Sequence, residues 1–250
     1  MRVDLAGRHV LITGASQGLG ADAASGFATS GARVTLCARR AKELDEVRRG
    51  LEGHDHRALV ADLGGAGEGA RVAAAAEALN GPVDIVVHAA GGNLDLRDVF
   101  GPSDAWQRVW QLNVGAVIDL NNALIPGMRA RGWGRILHFS SRSTVSLSGA
   151  PAYAAAKTYL DAYTVMLGRA VAADGIVVSA VAPGAIAAPG NNWTRAQGQW
   201  PENVAKYVAE HQAIGRLGRP DDITPFLLFL ASDAARFAAG SIIPVDGGGM

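Results

Sequence analysis

The chain has 250 residues, of which 49% are hydrophobic and 18% charged, and its 23 Lys and Arg residues balance 23 Asp and Glu residues. A formal net charge of zero gives no sign of a nucleic-acid partner or of an anionic membrane surface. One cysteine excludes an intramolecular disulfide, and the absence of a signal-like or membrane-spanning apolar run predicts a cytoplasmic protein without membrane contact.

Short apolar, β-branched runs alternate with longer alanine-rich segments from the start of the chain. The first part predicts strands at 10–12, 33–38, 58–61 and 83–87, with helices at 21–30, 41–51 and 70–79. Further on, it predicts helices at 109–131 and 152–173 and strands at 136–139, 177–181 and 242–245. Apolar strands separated by helices favour a parallel sheet covered on both faces. We therefore predict one domain over residues 1–250, a Rossmann-like doubly wound αβα sandwich with about seven strands.

A glycine-rich segment, residues 13–20, separates the first strand from the first helix. Glycines there allow a sharp turn and a close approach of the backbone to a pyrophosphate, which the helix N-terminus then attracts. The spacing alone is weak evidence in a chain with 32 glycines, and the alternative is an ordinary glycine turn. Its place at the first strand and helix favours a dinucleotide site.

Tyr153 and Lys157 lie four residues apart in a predicted helix, so they share one face. A lysine cation beside a phenol stabilises the phenolate, and we therefore expect a lowered pKa of Tyr153 and a usable acid/base near neutral pH. The alternative is a surface pair. Ser140 and Ser141 follow a predicted strand and place a hydroxyl at the ligand-binding end of the sheet.

The ordered motifs resemble those of the short-chain dehydrogenase/reductase family from Gly7 to Gly248. The matches are Thr13, Gly14, Gly18 and Gly20; Asp62 and Leu63; Asn113; Ser141; Tyr153 and Lys157; Pro183 and Gly184; and the segments 216–220, 230–233 and 245–248. The resemblance implies an NAD(P)-dependent enzyme that interconverts a carbonyl and a secondary alcohol. It also implies a small-molecule substrate and a homo-oligomer, a tetramer paired through the helices at 109–131 and 152–173.

The resemblance assigns roles to individual residues. It implies a catalytic set of Asn113, Ser141, Tyr153 and Lys157, with no metal. Ser141 would donate a hydrogen bond to the substrate oxygen, Tyr153 would exchange a proton with it, Lys157 would stabilise the phenolate and hold the ribose, and Asn113 would fix a water. The implied cofactor crevice comprises Gly14, Ser16, Gln17, Gly18, Leu19, Gly20, Arg39, Asp62, Leu63, Ala90, Gly91, Asn113, Tyr153, Lys157, Pro183, Gly184 and Ile186.

Three departures from the family pattern leave questions open. His88 and Ala89 replace two asparagines, so His88 is either a ligand or proton shuttle, or a hydrogen-bonded structural residue. The interval between the serine and the tyrosine is one residue shorter than in the family, which keeps Ser140 as an alternative to Ser141. Alanines at 187 and 188 stand where many relatives have a nicotinamide-contacting threonine.

The residue at the end of the second strand decides the cofactor. A carboxylate there would bind the ribose 2′-hydroxyl of NAD, but Ala38 occupies the position and Arg39 follows. A guanidinium binds phosphate through two hydrogen bonds, so we predict NADP(H) rather than NAD(H). The alternative is that Arg39 and Arg40 are solvated charges.

Residues 185–215 are long enough to form a substrate lid. Trp193 and Trp200 either line the pocket or pack the lid on the body, and Arg142 either meets an anionic substrate or is solvated. Two other functions stay open: a cofactor-binding regulator without turnover, and a 3-oxoacyl-(acyl carrier protein) reductase whose carrier would meet Arg129 and Arg131.

Overall fold

The computed structural model describes residues 3–249, and within them seven strands form one sheet. The strands are β1 His9–Thr13, β2 Arg33–Ala38, β3 Arg57–Val60, β4 Ile85–His88, β5 Gly134–Phe139, β6 Ile176–Pro183 and β7 Ser241–Val245. All pairings are parallel, and the strand order is β3-β2-β1-β4-β5-β6-β7. The order reverses between β1 and β4, where doubly wound sheets form their ligand crevice.

Ten α-helices connect these strands within residues 3–249. They are α1 Gly18–Thr29, α2 Ala41–Gly50, α3 Glu68–Asn80, α4 Ser103–Trp110, α5 Ala116–Arg131, α6 Ser143–Ser146, α7 Pro151–Val171, α8 Asn192–Gln199, α9 Pro201–His211 and α10 Pro220–Ala231. None of these helices is long and apolar enough to cross a membrane.

The core consists of two layers, one on each face of the sheet. Helices α1, α2 and α10 cover one face, where Phe27 and Leu36 are fully buried. Helices α3, α5 and α7 cover the other, where Leu120 and Ile136 are fully buried. The central strands are apolar on both faces because both are covered, which confirms the predicted Rossmann-like sandwich.

The helix predicted at 109–131 is interrupted. Helix α4 ends at Trp110, a π-helical turn spans Gln111–Gly115, and α5 begins at Ala116. Such a turn adds one residue to the helical ring and is common at functional sites. Its centre is Asn113, and apolar periodicity does not distinguish it from an ordinary helix.

Candidate active site

The glycine turn packs against the loop after β4. Gly14 has a φ of +67°, and a Cβ there would lie 2.7 Å from the backbone of Ala89. At Gly20, a Cβ would lie 2.5 Å from the Gly14 carbonyl oxygen, so α1 contacts the turn directly. No side chain caps the N-terminus of α1. The free N–H groups of Gly18, Leu19 and Gly20 therefore suit an anion such as a pyrophosphate.

Of the two arginines after β2, only Arg40 contacts this turn. Arg40 donates from Nη2 to Ser16 Oγ at 2.9 Å. Arg39, the residue predicted to bind a 2′-phosphate, is largely exposed and lies 3.9 Å from the Asp62 carboxylate. From the sequence, Arg40 is interpreted only as a solvated charge and has no predicted role in binding. Its contact with the turn could not be found in the pattern because Ser16 lies 24 residues away.

Asn113 clamps the loop after β4. Its amide Nδ2 donates to the carbonyl oxygens of Gly92 and Val109, both at 2.8 Å, and its Oδ1 accepts from the Gly92 N–H at 3.1 Å. Gly91 has room for this contact only because it lacks a Cβ, which would lie 2.6 Å from Asn113 Oδ1. Ala90 donates its N–H to Thr13 Oγ1, which completes the attachment of this loop to β1.

Ser141, rather than Ser140, lies beside Tyr153. The Ser141 hydroxyl oxygen accepts hydrogen bonds from the Oγ of Ser143 at 2.9 Å and from its N–H at 3.2 Å. Both contacts use lone pairs, so the Ser141 proton is free to be donated. Contact with Ser141 lowers the pKa of Tyr153. Ser140 is buried on the opposite side of the chain, toward Asp161 on α7.

Tyr153 and Lys157 come together as predicted, but the charge state of the phenol differs from the expectation. Lys157 is 3% exposed, donates to the Phe139 carbonyl at 2.7 Å, and lies 5.5 Å from the centre of the Tyr153 ring. Burial lowers the pKa of Lys157 to about 8 and raises the pKa of Tyr153. The expected lowering is therefore wrong for the protein alone, because desolvation of the phenolate outweighs the stabilising contacts.

The end of β6 forms the far wall of the crevice. A Cβ at Gly184 would lie 2.8 Å from the Asp246 backbone, so the segment after Pro183 packs closely on the C-terminal strand. Ile186 is 5% exposed and pairs with Gly218. Gln17 and Leu63, two of the residues predicted to contact a cofactor, belong to neighbouring loops: the Gln17 side chain packs against Gly190, and Leu63 is buried in the cluster that contains Leu11 and Val86.

The open questions on four side chains have structural answers. His88 is buried and donates from Nε2 to Asn121 Oδ1 at 2.8 Å, which is the structural alternative. Arg142 is partly exposed, pairs with Asp246 at 2.8 Å and donates to the Gly249 carbonyl, so its charge is already engaged within the protein. Trp193 packs on Tyr207, with 4.5 Å between the ring centroids, whereas Trp200 is exposed.

The comparisons with known proteins agree with this geometry. Residues 14–249 match the family model described as enoyl-(acyl carrier protein) reductase. One curated relative is the rhamnolipids biosynthesis 3-oxoacyl-[acyl-carrier-protein] reductase of Pseudomonas aeruginosa, which is 31% identical over 98% of this chain and 96% of its own.

Solved structures show the same fold over nearly the whole chain. L-sorbose reductase from Gluconobacter frateurii, complexed with NADPH and L-sorbose, has a TM-score of 0.92 at 32% identity and covers 99% of this chain and 98% of its own. A 7α-hydroxysteroid dehydrogenase complexed with NADH and 7-oxo glycochenodeoxycholic acid has a TM-score of 0.91 at 29% identity, with 100% and 96% covered. Both carry a nicotinamide cofactor, and their substrates differ in size and polarity.

Proposed function

The chain belongs to the short-chain dehydrogenase/reductase family, and we propose that it is an NADP(H)-dependent oxidoreductase that interconverts a ketone and a secondary alcohol. The observation that carries the proposal is the arrangement of Ser141, Tyr153 and Lys157 beside an uncapped helix N-terminus. A bound cofactor would supply or accept the hydride, and the protein would supply position, charge and a proton.

Each proposed role follows from the hydrogen bonds that the side chain makes in the structure and those that it still can make. Ser141 donates its free proton to the substrate oxygen, because Ser143 already occupies its lone pairs. Tyr153 gives a proton to that oxygen during reduction and takes it back during oxidation. Lys157 stabilises the phenolate and holds the ribose with the N–H groups that Phe139 leaves free. The clamped side chain of Asn113 fixes the loop behind Lys157 and orders a water there.

The preference for NADP(H) rests on charge. Ala38 leaves the end of β2 without a carboxylate, and Arg39, together with the hydrogen-bonded pair Arg40 and Ser16, would supply donors for a 2′-phosphate. The NADPH complex of L-sorbose reductase supports this choice, and the NADH complex of the steroid dehydrogenase shows that the fold admits either cofactor. Asp62 and Leu63 would contact the adenine.

A substrate free in solution fits this chain better than one attached to a carrier protein. The relative from P. aeruginosa favours a 3-oxoacyl carrier substrate. The arginines considered for docking a carrier are already engaged, however: Arg129 pairs with Asp174, and Arg131 donates to the Val83 carbonyl. We expect the segment at 185–215, with Trp193 packed inside it, to close over a small ketone or alcohol.

A substrate panel tests the proposal. Ketones, sugars and acyl thioesters are offered with NADPH and with NADH, and the absorbance of the reduced cofactor is followed. We expect oxidation of NADPH with at least one ketone or sugar, and a slower rate with NADH. Binding of cofactor without turnover on any substrate would favour a regulator, and turnover restricted to carrier-bound thioesters would favour the acyl reductase.

A further inference from the structure

Asp161 is a partly exposed carboxylate one helical turn beyond Lys157 on α7. Side chains four residues apart in an α-helix lie on one face, about 6 Å apart along the axis. Lys157 is buried, and within residues 3–249 its one hydrogen bond goes to a neutral acceptor, the Phe139 carbonyl. Asp161 is the carboxylate whose charge acts on this buried cation, and no step of the proposed mechanism uses it.

Two buried polar atoms meet between β5 and α7 without a hydrogen bond of ordinary geometry. They are Ser140 Oγ and Asp161 Oδ1. No other buried side-chain nitrogen or oxygen within residues 3–249 lacks a hydrogen-bond partner by this criterion. Alternation along β5 directs Ser140 to the same side as Ile136, the side that α5 and α7 cover. Buried polar atoms are nearly always paired in native proteins, and Ser140 acts on the Asp161 carboxylate as a hydrogen-bond donor, so the two groups belong to one polar cluster beside Lys157.

The electrostatics of the pair are reciprocal. Burial is the main cause that lowers the pKa of Lys157 to about 8, and Asp161 opposes it by raising that pKa. Burial likewise raises the pKa of Asp161, while Ser140, Thr144 and Lys157 lower it. Each group therefore stabilises the charged form of the other, and the carboxylate acts against the desolvation that would neutralise the lysine.

The other titratable groups near α7 do not replace this carboxylate. Strands β6 and β7, helix α6 and the turn at 111–115 carry none. The rest are Tyr153, Tyr159, Tyr163 and Arg169 on α7, Asp174 after it, His88 on β4, Arg135 and His138 on β5, and Asp104 and Arg108 on α4. Asp104 and Asp174 pair with arginines, and burial lowers the pKa of both His88 and His138, so these imidazoles are neutral near pH 7.

We propose that Asp161 is a positioning residue that keeps Lys157 protonated and thereby sets the alkaline limit of catalysis. When Lys157 is protonated, its charge stabilises the Tyr153 phenolate as the proton moves between the phenol and the substrate oxygen. When Lys157 loses its proton, that stabilisation disappears and the transfer slows. The catalytic consequence rests on the proposed function, whereas the coupling between the two side chains does not.

Nuclear magnetic resonance of the lysines tests the coupling without turnover. The chain has three lysines, Lys42, Lys157 and Lys206, so ¹³C labelling of the side chains gives signals that single substitutions can assign. Asp161→Asn keeps the shape and removes the charge. We expect it to lower the pKa of Lys157 by about half a unit or more, while Asp161→Glu keeps the value closer to the wild type. Asp104→Asn, which removes an equal charge from the exposed pair on α4, is the matched control.

The pH profile of alcohol oxidation tests the consequence. In Asp161→Asn we expect the alkaline decline to begin at lower pH, with kcat on the acidic side within about twofold of wild type and an unchanged KM for the cofactor. Asp161→Ser provides a second neutral variant if the asparagine variant does not fold. An unchanged titration of Lys157 in the neutral variants, or an equal loss of rate at every pH, would overturn the proposal. If the titration shifts and no substrate is oxidised, the proposed function fails while the coupling stands.

Discussion

The position of Lys157 and its proposed charge place opposing demands on one side chain. Its position against Phe139 requires burial, and burial lowers the pKa of the ammonium to about 8. Its proposed task beside Tyr153 requires that the positive charge persist. Asp161, one turn away, reduces the conflict, and the free proton of Ser141 assists the phenol from the other side.

The cofactor preference also depends on single residues. Replacing Ala38 with Asp and Arg39 with Leu introduces a carboxylate that repels a 2′-phosphate and removes a cation that attracts it. We expect the ratio of kcat/KM for NADPH over NADH to fall by about tenfold or more, which corresponds to about 1.4 kcal/mol. Arg49→Leu, near the end of the following helix α2, is the control. A strong preference of the unmodified protein for NADH would contradict the assignment of Arg39.

At the scale of elements, β4 and β5 enclose a buried polar layer with α5 and α7. His88 donates to Asn121 Oδ1, Asn121 donates to His138 Nε2, and His138 Nδ1 lies 2.7 Å from Thr164 Oγ1. Because Thr164 donates to the Leu160 carbonyl, it must accept from His138, which fixes the direction of the chain. Both imidazoles are therefore neutral and hydrogen-bonded in the folded protein.

This layer predicts a loss of stability in acid. The pKa of His88 falls from 6.5 to about 4 through burial, and that of His138 falls well below 6.5. As the pH drops below the unfolded value, the unfolded chain binds protons first, so the stabilisation present above about pH 6.5 is lost. Urea unfolding between about pH 7 and about pH 5 should show a free energy that falls by up to ~1.4 kcal/mol per pH unit for each histidine.

Two substitutions separate this effect from general acid sensitivity. His88→Gln keeps a nitrogen donor for Asn121 and removes the titrating ring, so it should reduce the pH slope. His54→Gln changes an exposed histidine, with 92% of its side chain accessible, and should leave the slope unchanged. A wild-type free energy of unfolding that stays constant over this pH range would contradict the account.

Sequence patterns predict the strands and helices that follow a regular apolar periodicity. They do not predict features that depend on contacts between distant residues. The strand at 33–38 was predicted with the observed bounds, because its apolar run is bordered by a glycine turn and a charged helix. The turn at Gln111–Gly115 was missed, since its extra residue leaves the apolar periodicity intact. The contact of Arg40 with Ser16 and the effect of Asp161 on Lys157 were missed. In a sequence, an arginine or a carboxylate with a specific partner cannot be distinguished from one that is solvated.

At the scale of the whole molecule, α4 and α7 leave an apolar surface uncovered. Trp106, Trp110, Ala152 and Tyr159 line a groove of about 330 Å³, and Met166 further along α7 is 71% exposed. We predict a homotetramer with two-fold axes that buries this surface. Light scattering at micromolar concentration should show one species of four chains, and Met166→Glu should weaken it, whereas Leu79→Glu on α3 should not. A monomer would contradict this prediction.

Replacement of Tyr153 with Phe tests the central claim most directly, because it deletes one hydroxyl and keeps the ring. Fluorescence should show that NADPH still binds, since the glycine turn, Arg39, Asp62 and Lys157 remain. The turnover of the ketone identified in the panel should fall by about two to four orders of magnitude, the usual contribution of a positioned acid/base. Tyr159→Phe, which deletes a hydroxyl from the groove between α4 and α7, should keep its rate. If Tyr153→Phe reduces that ketone as fast as the wild type, the proposed mechanism is wrong even though the fold and the family stand.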